Sequence, residues 1–155
     1  MSTPPAQSDA SGTYRRYLSA VMLHGHASAK ACDLGVSDLY ALNILELAGA
    51  MTPGELGART GLTTGPTTRL VDRLEAAGYV RRAPDPGDRR KVIVEPIGKP
   101  AQLDQVMGPA RQKVGEILAG YSPEQLEVLF DYFARAAQAY QEAAEHIPDS
   151  GRRTL

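Results

Sequence analysis

Two short stretches of the chain concentrate side chains that suit contact with a polyanion. Between Thr64 and Arg73, threonine hydroxyls can donate or accept at base edges, and Arg69 can bind guanine or a phosphate. Arg73, one helical turn further on, is better placed for a phosphate. The stretch from Asp85 to Lys91 ends in three consecutive cations that repel one another unless a polyanion offsets them. Both stretches favour nucleic-acid binding, and a solvated charged surface is the alternative interpretation.

Two histidines and the single cysteine are the other candidates for chemistry. On a helix, His24 and His26 point ~200° apart, so they cannot share a metal ion without distortion. Cys32 is a candidate redox switch, although the negative charge of Asp33 beside it disfavours a thiolate. The chain offers no Ser/His/Asp order and no phosphate-binding glycine loop. We therefore predict no metal, no cofactor and no enzymatic activity, with a redox role for Cys32 as an alternative.

Composition indicates one globular domain with an uneven charge distribution. The chain has 155 residues, of which 43% are hydrophobic and 23% charged, as in ordinary packed proteins. Its net charge is −1, but residues 51–100 hold nine basic and six acidic side chains. One cysteine favours a reducing compartment. With no recognisable signal peptide or membrane span, we expect a cytoplasmic protein without membrane contact and with a disordered tail at residues 1–12.

Apolar periodicity and capping signals predict four helices in the first half of the chain. The first begins near Thr13 and ends before Gly35. The fourth runs to Ala77 and buries one face, formed by Thr67, Leu70, Val71 and Leu74. The start and stop signals are Ser37 and Gly49 for the second helix, Thr52 with Glu55 and then Gly61 for the third, and Thr63 and Gly78 for the fourth.

The second half begins with a predicted β-hairpin and returns to helix. Residues 79–83 and 91–97 are strand-like runs on either side of a Pro- and Gly-rich turn. A helix with an apolar stripe follows, and Pro109 inside it predicts a kink or break. Ser122-Pro123-Glu124-Gln125 is a second capping box. It opens a long apolar-striped helix that ends at Pro148.

The order helix, tight turn, helix and hairpin is that of a winged helix-turn-helix. The fold class predicted is therefore mainly α with a small β-hairpin wing, flanked by N- and C-terminal helices. The second helix of such a motif lies in the DNA major groove, and a wing arginine suits a narrow minor groove. Pro66 offers apolar contact to a thymine methyl. The predicted DNA contacts are Thr63, Thr64, Gly65, Pro66, Thr68, Arg69, Arg73, Asp88, Arg89, Arg90 and Lys91.

The stretches 51–65, 68–82 and 85–90 resemble the MarR family of bacterial transcriptional regulators. Asp88 and Arg90 match the Asp-x-Arg signature of the family's wing, and 74–78 matches its Leu-Glu-x-x-Gly turn. The resemblance covers 37–98 well. One departure follows the wing: the chain reads Glu-Pro-Ile-Gly-Lys-Pro from Glu95, where the family shows Leu-Thr and soon a Gly. The usual cap of the next helix is thus missing.

The resemblance implies a homodimer that binds a pseudo-palindromic double-stranded DNA operator. It divides a single domain, 13–155, into a DNA-binding part at 37–98 and dimerisation helices at 13–34 and 101–147. The apolar stripe of the last helix supports this, because a monomer would expose it. The predicted dimer interface comprises Tyr14, Tyr17, Leu18, Leu126, Phe130, Phe133, Ala137 and Tyr140.

The resemblance also implies a repressor that a small-molecule effector releases from DNA. Side chains near the junction of the two parts combine apolar walls with a few polar groups, which suits an aromatic or amphipathic effector. The alternative is that they fill ordinary core. A winged helix used only for protein–protein contact is a further alternative, and such a module would lack cations at both the second helix and the wing. The predicted effector residues are Met22, His24, His26, Tyr40, Asn43 and Met107.

Overall fold

A computed structural model describes residues 7–98 and 101–147. Six helices and one two-stranded antiparallel hairpin within these residues confirm the predicted fold class. Contacts divide the chain into two units, residues 1–108 and 109–155. The elements are α1 (Gln7–Ala31), α2 (Val36–Ala48), α3 (Pro53–Thr60), α4 (Thr64–Ala76), β1 (Val80–Pro84), β2 (Val92–Pro96), α5 (Ala101–Leu118) and α6 (Pro123–Glu145).

The first helix begins earlier than predicted. α1 starts at Gln7, so residues 7–12 are helical and do not belong to a disordered tail, while residues 1–6 lie outside the described part. Asp9 lies in the first turn, where its negative charge interacts favourably with the positive end of the helix dipole. Its carboxylate lies 3.4 Å from the Arg16 guanidinium, which also donates to the Thr13 hydroxyl at 2.9 Å. These exposed side-chain contacts lie along the added part of the helix.

The predicted N-cap of α2 is wrong by two residues. Gly35 is the cap, with extended backbone, and Ser37 lies inside the first turn. The Gly35 N–H donates to the carboxylate of Asp38 at 2.8 Å. An acid at the third helical position that accepts the cap N–H is half of a capping box, and here it determines where the helix begins.

The predicted capping box of α3 is confirmed. The Thr52 N–H donates to the Glu55 carboxylate at 2.8 Å, and the Glu55 N–H donates to the Thr52 hydroxyl at 3.2 Å. Gly61, with φ of +70°, ends α3 in the left-handed conformation. Thr63 caps α4 as predicted, although its side chain makes no capping hydrogen bond.

The core lies between α2, α3, α4 and the hairpin. The predicted buried face of α4 is confirmed, since Thr67, Leu70, Val71 and Leu74 are all buried. They pack against apolar side chains of the other elements. The largest of those side chains that are fully buried are Leu45, Leu56, Val80 and Val94.

The hairpin extends to a third backbone segment that the sequence did not reveal. β1 pairs with β2 from Val80 opposite Pro96 to Pro84 opposite Val92. On the other edge of β2, the Val94 N–H donates to the Met51 carbonyl at 2.7 Å, and the Met51 N–H donates back at 3.1 Å. The turn between α2 and α3 is therefore bonded directly to the wing.

The helix that contains Pro109 is not interrupted there. We predicted a kink or a break at Pro109; α5 continues through it, so the break is wrong, and the proline removes only the N–H that would bond the Gln105 carbonyl. The sequence predicts that the usual cap before α5 is missing, but Lys99 and Pro100, where it would stand, lie outside the described residues, as does Pro148. The predicted capping box of α6 is confirmed: the Ser122 N–H donates to the Gln125 side chain at 2.8 Å. Among the described residues, no helix has the length and apolar character needed to cross a bilayer.

We predict that Gly57→Ala destabilises the protein. A Cβ at this buried position of α3 would lie 2.7 Å from the Thr67 hydroxyl oxygen and 3.1 Å from the Leu62 carbonyl oxygen. Forcing these groups apart should reduce the free energy of unfolding by about 1–3 kcal/mol. Urea unfolding measures it.

Gly54→Ala is the matched control for this prediction. A Cβ at Gly54 meets nothing within 4 Å, so alanine should leave stability unchanged or raise it by up to ~1 kcal/mol. Equal unfolding midpoints for the two variants would contradict the close approach of α3 and α4 at Gly57.

Candidate nucleic-acid interface

The first turns of α4 present the predicted contact residues to solvent. Thr64, Gly65, Thr68 and Arg69 are exposed and Pro66 is half-buried. Thr63, at the cap, is also exposed. Because the opposite face of α4 is locked into the core, these side chains project from a rigid support. This is the arrangement required of a helix whose N-terminal residues contact base edges.

Arg69 is the exposed cation in the middle of α4. Its guanidinium makes no hydrogen bond or ion pair with any residue that the structure describes. One of its terminal nitrogens lies 3.7 Å from the place where a Cβ on Gly65 would stand. The guanidinium thus lies over Gly65 at ordinary contact distance, and it can bind an external acceptor without first breaking an internal ion pair.

Arg73 has a structural partner that the sequence did not reveal. Its guanidinium lies 2.7 Å from one carboxylate oxygen of Asp38 and 3.4 Å from the other. The Asp38 side chain is only 3% exposed, whereas that of Arg73 is 55% exposed. Hydrogen bonding to this carboxylate raises the pKa of Arg73 above its ordinary value. Arg73 thus joins α4 to the start of α2, and its phosphate contact stays a prediction.

The wing is fastened to α4 by a second ion-pair cluster. The Arg82 guanidinium, on β1, lies 2.6 Å from the Asp72 carboxylate and also contacts Glu75. The Arg82 backbone N–H donates to Glu75 at 3.0 Å. That backbone bond, followed by the bond from the guanidinium, holds the pKa of Glu75 below its ordinary value. The signal available in the sequence was two acids three residues apart on α4, followed by an arginine pair.

Asp88 shapes the tip of the wing. Its carboxylate accepts the Arg90 backbone N–H at 3.1 Å and lies 3.4 Å from the Arg90 side-chain Nε. The Asp85 carboxylate accepts the Gly87 N–H at 2.7 Å, which closes the turn. The Arg90 side chain is still 93% exposed, and Arg89 and Lys91 are exposed beside it. The tip therefore presents three cations on an ordered loop.

The predicted effector residues are not enclosed. Met22 and Tyr40 are 64% and 51% exposed, while His26 and Asn43 are exposed and His24 and Met107 half-buried. A recess in the helix-turn-helix and an open groove on α6 are lined by other residues. The effector site remains a prediction.

Cys32 is buried in the core at the end of α1, among the side chains packed around α2. Burial, together with the adjacent Cys32, raises the pKa of Tyr79. The thiol is thus withdrawn from solvent, which does not favour the redox alternative. No cluster of three or more potential metal ligands occurs within residues 7–98 and 101–147.

The residues predicted for the dimer interface present apolar side chains on two helices. On α1, Tyr17 and Leu18 are exposed and Tyr14 is half-buried. α6 buries none of its residues. On its stripe, the Phe133 ring lies 6.4 Å from that of Phe130. The exposed residues of the stripe are Phe130, Phe133, Ala137 and Tyr140, and Leu126 is half-buried.

Comparisons with known proteins agree on one class. The family model described as MarR family matches residues 33–91. The HTH-type transcriptional regulator YcgE of Bacillus subtilis is 38% identical over 95% of this chain and 99% of its own length. The HTH-type transcriptional repressor NicR of Pseudomonas putida is 33% identical over 59% of each chain. A MarR family protein from Bacillus stearothermophilus shares the fold, with a TM-score of 0.64, 22% identity and coverage of 86% of this chain and 94% of its own.

We predict that Glu75→Gln reduces the stability of the protein at neutral pH and that this difference disappears in acid. A carboxyl whose folded-state pKa is lowered stabilises the fold above its unfolded pKa, and this contribution is lost as the pH falls through the folded value. The gap between wild type and variant should therefore narrow below about pH 4.5. Urea unfolding from pH 7 to 3 measures it.

Glu46→Gln is the control for the acid dependence, since Glu46 is exposed on α2. This variant should follow the wild-type curve at every pH. A wild-type-like curve for Glu75→Gln would contradict a stabilising contact between the wing and α4.

Proposed function

The chain belongs to the MarR family of transcriptional regulators, and on that premise we propose that it is a homodimeric repressor of transcription. It binds a pseudo-palindromic operator through two copies of the winged helix-turn-helix. The relatives and the fold are those of regulators and not of enzymes. NicR, which matches over part of the chain, is itself described as a repressor.

The observation that carries the proposal is the pairing state of the arginines. Arg69 on α4 is unpaired among the described residues, whereas Arg73 and Arg82 hold α4 and β1 in place through carboxylates. The wing adds the exposed side chains of Arg89 and Arg90. Cations on both surfaces disfavour a module that only contacts protein. They suit bases in the major groove and phosphates or the minor groove beside them.

Dimerisation is proposed from the apolar faces of α1 and α6. Water contact with Phe130, Phe133 and Tyr140 is unfavourable, and a two-fold interface removes it by pairing the same surface of two chains. Two recognition helices would then read half-sites about one helical turn apart, ~34 Å.

Release by an effector is proposed for the junction residues already named, Met22, His24, His26, Tyr40, Asn43 and Met107. An aromatic or amphipathic molecule bound there would release DNA only if it bound the DNA-free arrangement of the dimer more tightly. Titrating such a molecule into the operator complex tests this. Because the two ligands prefer different arrangements of the protein, each must lower the affinity for the other by the same factor.

We predict that Arg69→Ala weakens specific binding by about 1–3 kcal/mol, because the guanidinium reads a base. Random DNA should bind Arg69→Ala with a much smaller loss. Fluorescence anisotropy with an operator selected from a random library, and with a scrambled duplex of equal length, measures both. Arg135→Ala, which removes the same charge from α6, should change neither affinity. An equal loss on both duplexes would reduce Arg69 to a phosphate contact.

We predict that Phe133→Glu converts the dimer to monomer or to insoluble protein, because a carboxylate would be buried in an apolar interface. Light scattering coupled to gel filtration measures the mass. Arg135→Glu places the same charge ~200° around the helix and should leave the dimer intact. A soluble Phe133→Glu monomer with full operator affinity would refute the proposed dimer.

A further inference from the structure

The helix-turn-helix contains a small recess that opens on the same surface as Arg69. It lies between the beginnings of α3 and α4 and has a volume of about 80 Å³. Gly57 and Thr67 are buried and form its closed end, whereas Gly54, Thr64 and Thr68 are exposed at its mouth. The lining residues are Pro53, Gly54, Gly57, Leu62, Thr64, Thr67 and Thr68.

Two of the three threonines that line this recess already donate their hydroxyl protons within the protein. The Thr67 hydroxyl donates to the Thr63 carbonyl at 2.8 Å, and the Thr68 hydroxyl donates to the Thr64 carbonyl at 3.0 Å. A hydroxyl has one proton, so neither of these two side chains can donate a further hydrogen bond to a ligand. These two residues offer their γ-methyl groups, and Pro53 and Leu62 add apolar side chains to the lining. The recess is therefore lined mostly by apolar groups, with Thr64 exposed at its mouth.

We propose that this recess receives the C5-methyl group of a thymine in each operator half-site, with Thr68 as the residue that selects it. The thymine methyl is the apolar group displayed at the floor of the major groove, and the volume admits it. This inference rests on the proposed function, because it concerns the same DNA-facing surface.

The methyl group can be removed from the DNA without changing any hydrogen-bonding edge. The probe is a duplex selected from a random library by the wild-type protein, with each thymine replaced in turn by deoxyuridine. Loss of one buried methyl should weaken binding roughly three- to five-fold at one thymine per half-site, and much less at the other thymines.

Two substitutions separate the methyl group of Thr68 from its hydroxyl. Thr68→Val keeps a methyl and removes the hydroxyl, and it has a similar helix propensity. Whatever its overall affinity, this variant should retain the wild-type preference for thymine over deoxyuridine, because the γ-methyl group is kept. Thr68→Ser keeps the hydroxyl and removes the methyl, so it should bind both duplexes nearly equally.

The outcomes distinguish this inference from the proposed function. If no duplex is enriched in the selection, both are overturned. If an operator is bound specifically but no thymine shows the methyl effect, the recess proposal alone fails. It also fails if Thr68→Ser keeps the wild-type preference or if Thr68→Val loses it. Thermal melting of both variants, expected within about 2 °C of wild type, shows that the fold is retained.

Discussion

The carboxylate of Asp38 is buried at the start of α2, and the position of the DNA-facing helix depends on how its charge is satisfied. A buried anion is costly unless it is paired and hydrogen-bonded. Here it accepts the Gly35 N–H and the Arg73 guanidinium. The first bond determines where α2 begins and the second holds α4 against it. One side chain thus couples the local start of a helix to the orientation of another helix 35 residues away.

The arginines of this surface have different roles because they differ in their acidic neighbours. Arg73 and Arg82 are held by carboxylates, so their charge positions α4 and the wing. Arg69 and Arg89 have no such partner among the described residues. A surface built this way separates paired cations, which position the elements, from unpaired ones, which can meet an external anion without first giving up an internal bond. Charge counts along the sequence cannot make that distinction.

The sequence predicted well what short-range interactions determine. The capping boxes at Thr52 and Ser122, and the buried face of α4, each depend on residues within two turns of one another. The wing and its Asp88–Arg90 contact were predictable for the same reason. The pairs joining Arg73 to Asp38 and Arg82 to Asp72 cross between elements, so no local pattern encodes them. The earlier start of α1 was not predicted, and the Asp9–Arg16 pair along it spans seven residues, beyond the usual helix-start signals.

The bridge between Met51 and Val94 has a consequence for the thermodynamics of binding. It ties the base of the wing to the turn before α3, and Arg82 ties the neighbouring strand to α4. Strand, turn and helix are therefore held together in the protein alone, so binding to DNA would not have to order this backbone. The entropic cost of such binding would fall mainly on exposed side chains, such as those of Arg69 and Arg89.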